Sequence, residues 1–90
     1  MELREAIERI ERMEQLNDSL RAAMRADPGA VRTETFRQDL EMLLRYYEDG
    51  WWLRDYALDE QGLLPHDLKR GVLSQDGVYD LLAEITKQTG

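Results

Sequence analysis

The stretch ELREAIERIERMEQLNDSLRAAMRADPGA, residues 2–30, decides the fold. Its apolar side chains recur at spacings of three, four and seven residues, which is the period of one face of an α-helix. We therefore predict one long helix over residues 2–26. Its apolar stripe consists of Leu3, Ile7, Ile10, Met13, Leu20 and Met24.

The segment ADPGA, residues 26–30, interrupts this pattern. A residue before proline disfavours the helical backbone, so the first helix should end near Ala26. Asp27 and Pro28 suit the N-cap and first position of a following helix. Thr33 is a second possible cap, and its use would make residues 28–32 a loop.

The second helix is predicted to reach about Asp49, where Gly50 is placed to end it. Its apolar stripe consists of Phe36, Leu40, Leu43, Leu44 and Tyr47. Two helices of similar length joined by a short turn predict an antiparallel hairpin over residues 1–49. A helical hairpin exposes one flank, which must be covered by the C-terminal forty residues, by a second copy of the chain, or by both.

Residues 50–90 are predicted to form a C-terminal block that packs on this hairpin. WWLRDYALDE after Gly50 has the character of a short third helix, and HDLKR, residues 66–70, could add one helical turn. The last helix, about residues 75–87, is amphipathic because Val78, Leu81, Leu82 and Ile85 share a face. The expected fold class is all-α, in a single domain over residues 1–90.

The start of the last helix carries its own local signals. Ser74 is a strong N-cap candidate, Asp76 complements the helix dipole, and Leu73 and Val78 have the spacing of a hydrophobic staple. Gly71 is expected either to adopt a backbone conformation barred to other residues or to admit a close neighbour. Gly77 weakens the first helical turn by about 1 kcal/mol relative to Ala, which would be compatible with a close backbone approach.

The composition argues against several functions. The net charge of −7 and the pI near 4.6 disfavour binding to nucleic acid or to anionic membranes. The chain has no Cys, so it has neither disulfides nor thiolate chemistry. MELREAIERI does not resemble a signal peptide, and no apolar run approaches the roughly 20 residues of a membrane span. We therefore expect a cytoplasmic protein.

Residues 46–82, YYEDGWWLRDYALDEQGLLPHDLKRGVLSQDGVYDLL, resemble a bacterial family of short, acidic, helical proteins, domain of unknown function 4298. The resemblance extends to the first half of the chain only in character, and it implies no activity. The matching positions are Trp52, Asp55, Tyr56, Asp59, Gly62, Pro65, Leu68, Lys69, Arg70, Gly71, Val72, Leu73 and Ser74.

The candidate binding residues lie in this block. Lys69 or Arg70 could lie over the aromatic rings or pair with nearby aspartates. Trp51 and Trp52 stand about 100° apart on a helix, so one of them should be exposed. The candidates are Trp52, Asp55, Tyr56, Asp59, Lys69 and Arg70.

We expect no catalytic site, metal site or cofactor. His66 is the only His, and the acidic side chains near it lack the spacing of a calcium-binding loop. No phosphate-binding loop, zinc signature or nucleotide fingerprint is present.

Three functions remain open. The leading hypothesis is a non-catalytic helical module that self-associates or binds another protein. The alternative is a small-molecule or cation-binding protein that uses Trp52, Tyr56 and Arg70. An acidic mimic of nucleic acid ranks lowest, because five Arg interrupt the seven acidic residues of 1–27.

Overall fold

The computed structural model describes residues 2–89, except the side chains of Glu2, Gln75, Asp76, Val78, Gln88 and Thr89. This part of the chain is all-α, as predicted, and contains no strand. Its elements are α1 (Glu2–Ala26), a first 3₁₀ helix (Pro28–Arg32), α2 (Glu34–Glu48), α3 (Trp51–Glu60), a second 3₁₀ helix (Gly71–Leu73) and α4 (Gln75–Thr89).

Both predicted caps between α1 and α2 are used. Asp27 accepts the N–H of Gly29 at 2.9 Å, with Pro28 at the first position of the 3₁₀ helix. Thr33 then accepts the N–H of Phe36 at 3.3 Å and caps α2. The segment between the caps is therefore a 3₁₀ helix rather than a loop, because the tight 3₁₀ turn fits the few residues available.

The boundary between α2 and α3 also lies where it was predicted. Asp49 is the C-cap of α2, and Gly50 follows in the left-handed region with φ of 89°.

The predicted helical turn over residues 66–70 is wrong. Residues 66–68 form a turn and a bend, and residues 69–70 have no regular secondary structure. The Arg70 side chain binds the carbonyl oxygens of Pro65, His66 and Leu68, which are groups that a helix would use for its own amides.

One chain covers the apolar stripe of α1. This helix contacts α2, α4 and both 3₁₀ helices. Ile10 and Leu20 are at most 2% exposed. The core comprises Ile10, Met13, Leu20, Met24, Val31, Phe36, Leu43, Tyr46, Leu64, Val72, Leu73 and Leu81. The C-terminal residues thus supply cover that a second copy of the chain could otherwise have provided.

The segment that joins the C-terminal block to α4 passes close to its neighbours. A Cβ on Gly71 would lie 2.8 Å from Oε1 of Glu14, so the second expectation for this glycine, a close neighbour, is confirmed. A Cβ on Gly77 would lie 2.6 Å from the carbonyl oxygen of Gly71. α4 begins directly after Ser74, as predicted, whereas the side chains of Asp76 and Val78 lie outside the described residues.

Gly77→Ala tests this close approach. The substitution improves helix propensity by about 1 kcal/mol but drives a methyl group into backbone, so we expect a net loss of about 1–3 kcal/mol in the free energy of unfolding. Urea unfolding followed by circular dichroism measures this loss. Ser19→Ala on the exposed face of α1 is the matched control and should be neutral or slightly stabilising. A Gly77→Ala chain as stable as the control would contradict the packing.

Candidate functional site

Asp55 lies at the centre of the predicted site and is fully buried. It accepts hydrogen bonds from Nε and Nη2 of Arg9, the first at 2.9 Å, and from the hydroxyl of Tyr46 at 2.7 Å. The two Arg9 bonds are bidentate, which is the strong geometry for a guanidinium and a carboxylate. We call these three residues the Asp55 cluster, and they join α1, α2 and α3.

The Asp55 cluster also shifts proton affinities. The hydrogen bond to Asp55 is the main cause of the raised pKa of Arg9. Burial raises the pKa of Tyr46 well above its ordinary value, and the hydrogen bond to Asp55 adds to this. Arg9 therefore remains a cation and Tyr46 a neutral hydrogen-bond donor, so the negative charge of Asp55 is matched inside the protein.

A second set of contacts converges on the backbone of Val72. Its N–H donates to Oε1 of Glu14 at 2.6 Å. Its carbonyl oxygen accepts from the hydroxyl of Tyr47 at 2.7 Å and from Nε1 of Trp52 at 2.9 Å. We call this set the Val72 cluster, and through it α1, α2 and α3 each hold the second 3₁₀ helix.

Arg70 is engaged within the protein rather than presented to solvent. Its Nε donates to Asp59 at 2.7 Å, one of the pairings predicted, and its side chain is 30% exposed. Its Nη1 and Nη2 groups donate to the carbonyl oxygens of Pro65, His66 and Leu68. Arg70 thus fixes the loop after α3, and these bonds occupy most of its donors.

Lys69 lies apart from the aromatic block. Its Nζ forms an exposed ion pair with Asp18 of α1 at 2.9 Å. Lys69 therefore neither lies over the aromatic rings nor pairs with Asp55 or Asp59, the aspartates considered as its partners. The hydrogen bond to Asp18 raises the pKa of Lys69.

The aromatic side chains pack on one another. Trp52 is half-buried and stacks on Tyr56 with ring centroids 5.1 Å apart. The ring of Trp52 also contacts that of Tyr47, with centroids 5.8 Å apart. These contacts form an aromatic seam, in which Tyr47 and Trp52 pack against the hydrophobic core. The rings of Trp52 and Tyr56 therefore contact each other and do not form an open aromatic cage for a cation.

One tryptophan of the pair is exposed, as predicted, and it is Trp51, with 42% of its surface accessible. The guanidinium carbon of Arg9 lies 4.5 Å from its ring centroid, and that of Arg54 lies 5.2 Å away. A groove of about 370 Å³ runs beside the ring and is lined by Glu5, Arg9, Trp51, Arg54 and Leu58. We call it the Trp51 groove.

The predicted site residues therefore fall into separate groups. Trp52 and Tyr56 share the aromatic stack, Asp55 belongs to its own cluster, Asp59 and Arg70 pair at the loop, and Lys69 pairs with Asp18 of α1.

Sequence reasoning missed the contributions of Arg9, Tyr46 and Glu14. A usable signal exists for Glu14, because it follows Ile7 and Ile10 at spacings of seven and four, on the same face of α1. Arg21 continues that row and donates to the carbonyl oxygen of Gly77 at 3.2 Å. Polar residues at apolar spacing indicate an edge of the helix that binds polar backbone.

Two further searches concern metals and membranes. Among the described side chains, no three His, Asp or Glu residues come together in an arrangement that could hold a metal ion. None of the helices, over the residues described, has the length and apolarity needed to cross a membrane.

Asp55→Ala tests the Asp55 cluster. The variant leaves the guanidinium of Arg9 and the hydroxyl of Tyr46 without their acceptor, so we expect a loss of about 3–5 kcal/mol in the free energy of unfolding. Urea unfolding measures the loss. Glu41→Ala, which breaks the exposed pair with Arg45, should cost less than about 1 kcal/mol. Equal effects of the two variants would refute a dominant role for the cluster.

Alkaline pH provides a separate test. Burial, with a contribution from the charge of Glu14, raises the pKa of Tyr47 to about 12, whereas unfolded tyrosine titrates near 10. The folded chain therefore keeps a proton that the unfolded chain loses, so stability should fall as pH rises from about 10 to about 12. Urea midpoints between pH 8 and pH 11 should fall less steeply in Tyr47→Phe than in the wild type. Identical slopes would count against this role of Tyr47.

Comparison with known proteins identifies a family for this chain. No curated protein and no solved structure matches the chain. The sequence profile of domain of unknown function DUF4298 matches residues 2–89, which is nearly the whole chain and extends well beyond the block that carries the resemblance. The chain therefore belongs to the DUF4298 family.

Proposed function

We propose that this chain is a non-catalytic binding module that recognises another protein through the surface around Trp51. The exposed indole of Trp51 is the observation that carries the proposal. Tryptophan and arginine are enriched among the residues that dominate protein–protein binding energies, and here two arginines flank one tryptophan.

The environment of Trp51 supports a role as an anchor. Arg9 is held by Asp55 and lies over the indole, so part of the surface beneath a partner is fixed before binding. A preformed anchor loses little conformational entropy on association, which favours binding.

The module is proposed to rest on residues 1–49 folded as an antiparallel hairpin, with residues 50–90 packed on it. Support comes from Arg9, in the first half of α1, and Tyr46, near the end of α2, because both bind Asp55. An antiparallel course of α2 beside α1 would bring these two residues together at Asp55.

Small-molecule binding and self-association gain less from the structure. The small-molecule hypothesis relied on Trp52, Tyr56 and Arg70, whose rings and donors mainly contact the protein itself. The self-association hypothesis relied on an uncovered stripe on α1, and within one chain this stripe is buried from Ile10 onward and partly buried at Leu3 and Ile7. Binding to a different protein therefore has the better support.

Affinity capture with matched variants tests the proposal. Tagged wild-type chain, Trp51→Ala and Tyr79→Ala would each be used to capture proteins from a native lysate of the source cells. Tyr79 is 71% exposed on α4 and is the control for loss of a surface ring. We expect at least one protein to be retained by the wild type and by Tyr79→Ala, and to be reduced at least tenfold with Trp51→Ala, a loss typical of a dominant interface tryptophan.

Two results would contradict the proposal. One is the absence of any protein specifically retained by the wild type. The other is retention of the same proteins by Trp51→Ala. Circular dichroism of the variants verifies that each remains folded, and sedimentation of the wild type reports any self-association separately.

A further inference from the structure

We propose that the Trp51 groove takes an acidic peptide segment of the partner, with a carboxylate on the arginines and a neighbouring apolar side chain against Leu58 and the indole. This inference rests on the proposed function and names the chemistry of the partner. Glu5, Arg9, Trp51, Arg54 and Leu58 line the groove, so it offers cationic and apolar surface together.

The first argument concerns hydrogen-bond donors. Arg54 forms no ion pair with any side chain that the structure describes, and it is exposed. Arg9 directs Nε and Nη2 at Asp55, and its side chain remains 20% exposed. A guanidinium carries five N–H groups, so both arginines retain donors for a ligand. Such donors match a carboxylate in geometry as well as in charge.

The second argument concerns the position of the charges. Arg9 and Arg54 both approach the Trp51 ring, so two cations stand on one side of the molecule within reach of one ligand. Among the residues that the structure describes, Glu5 is the one carboxylate that lines this groove. A second groove at Trp51 is lined by Asp49, Gly50, Trp51 and Arg54, with a single arginine beside a carboxylate. The Trp51 groove, which two arginines line, is therefore the better site for an anion.

The net charge of −7 opposes an acidic partner at long range. At physiological ionic strength the Debye length is about 8 Å, so distant charges are largely screened and the groups within the groove decide the contact. A basic segment would meet two guanidinium groups there. The arginines therefore favour an acidic segment over a basic one at this groove.

Selection from a random 12-residue peptide library on phage tests the inference. The immobilised full-length wild-type chain is the bait, after depletion of the library on Trp51→Ala. The most enriched peptide would then be synthesised, and its dissociation constant would be measured with the wild type, Arg54→Gln and Arg45→Gln. Arg45 is an exposed arginine of α2 that pairs with Glu41, so it is the matched control.

We expect the selected peptides to be enriched in Asp or Glu next to a large apolar residue. Arg54→Gln should weaken binding roughly tenfold, the effect of losing a charged hydrogen-bond partner, and Arg45→Gln should change it less than about twofold. Because Arg54 is exposed, its substitution is expected to leave the fold intact, which circular dichroism checks.

The alternative outcomes separate the two proposals. Trp51-dependent peptides without acidic residues, or equal affinities for wild type and Arg54→Gln, would overturn the acidic-ligand inference and leave the binding module standing. Displacement of the peptide by millimolar inorganic phosphate but not by acetate would assign the groove to phosphate groups and overturn the inference. A wild-type dimer that Trp51→Ala abolishes would assign it to a second copy of the chain. If no Trp51-dependent peptide is selected, both proposals fail.

Discussion

The burial of one carboxylate constrains the rest of this fold. Asp55 is the buried residue of α3, so a charged group positions this helix together with the partly buried Trp52 and Leu58. Removing a carboxylate from water costs several kcal/mol unless it is paired and hydrogen-bonded. Arg9 and Tyr46 supply those partners from α1 and α2. Because hydrogen bonds are directional, the Asp55 cluster fixes the rotation of α3 as well as its location. That rotation places Trp52 inward and Trp51 outward.

Several of the residues that carry the resemblance to the family make contacts that hold the fold together. Trp52 and Val72 meet in the Val72 cluster, and Gly71 leaves space for Glu14 to reach it. Asp55 organises the other cluster, and Asp59 holds Arg70 at the loop. These residues of the shared block hold the chain in its fold. Trp51 and Arg54 are not among the positions that carry the resemblance, and neither belongs to the two clusters, whereas Arg9 belongs both to the Asp55 cluster and to the proposed recognition surface.

Local signals in the sequence predicted the helices well, but they did not predict the contacts between residues far apart in the chain. Ala26, Thr33 and Gly50 mark boundaries because caps and backbone preferences act over a few residues. The bond between Arg9 and Asp55 spans 46 positions, and that between Glu14 and Val72 spans 58. No periodicity encodes such pairs. The failed helical turn at 66–70 has a different origin, because the Arg70 side chain binds carbonyl oxygens only two to five residues before it, and the helical pattern does not reveal this local competition.

Arg9 connects the stability of the chain to its proposed binding surface. One edge of its guanidinium neutralises the buried Asp55, and its carbon lies 4.5 Å from the centroid of the exposed Trp51 ring. Loss of Asp55 would therefore release Arg9 and disturb the anchor as well as the core. Arg54 touches the same ring but forms no ion pair with the described side chains, so its loss should affect recognition alone. Arg9 therefore contributes to both the fold and the proposed binding surface, whereas Arg54 contributes to the binding surface alone.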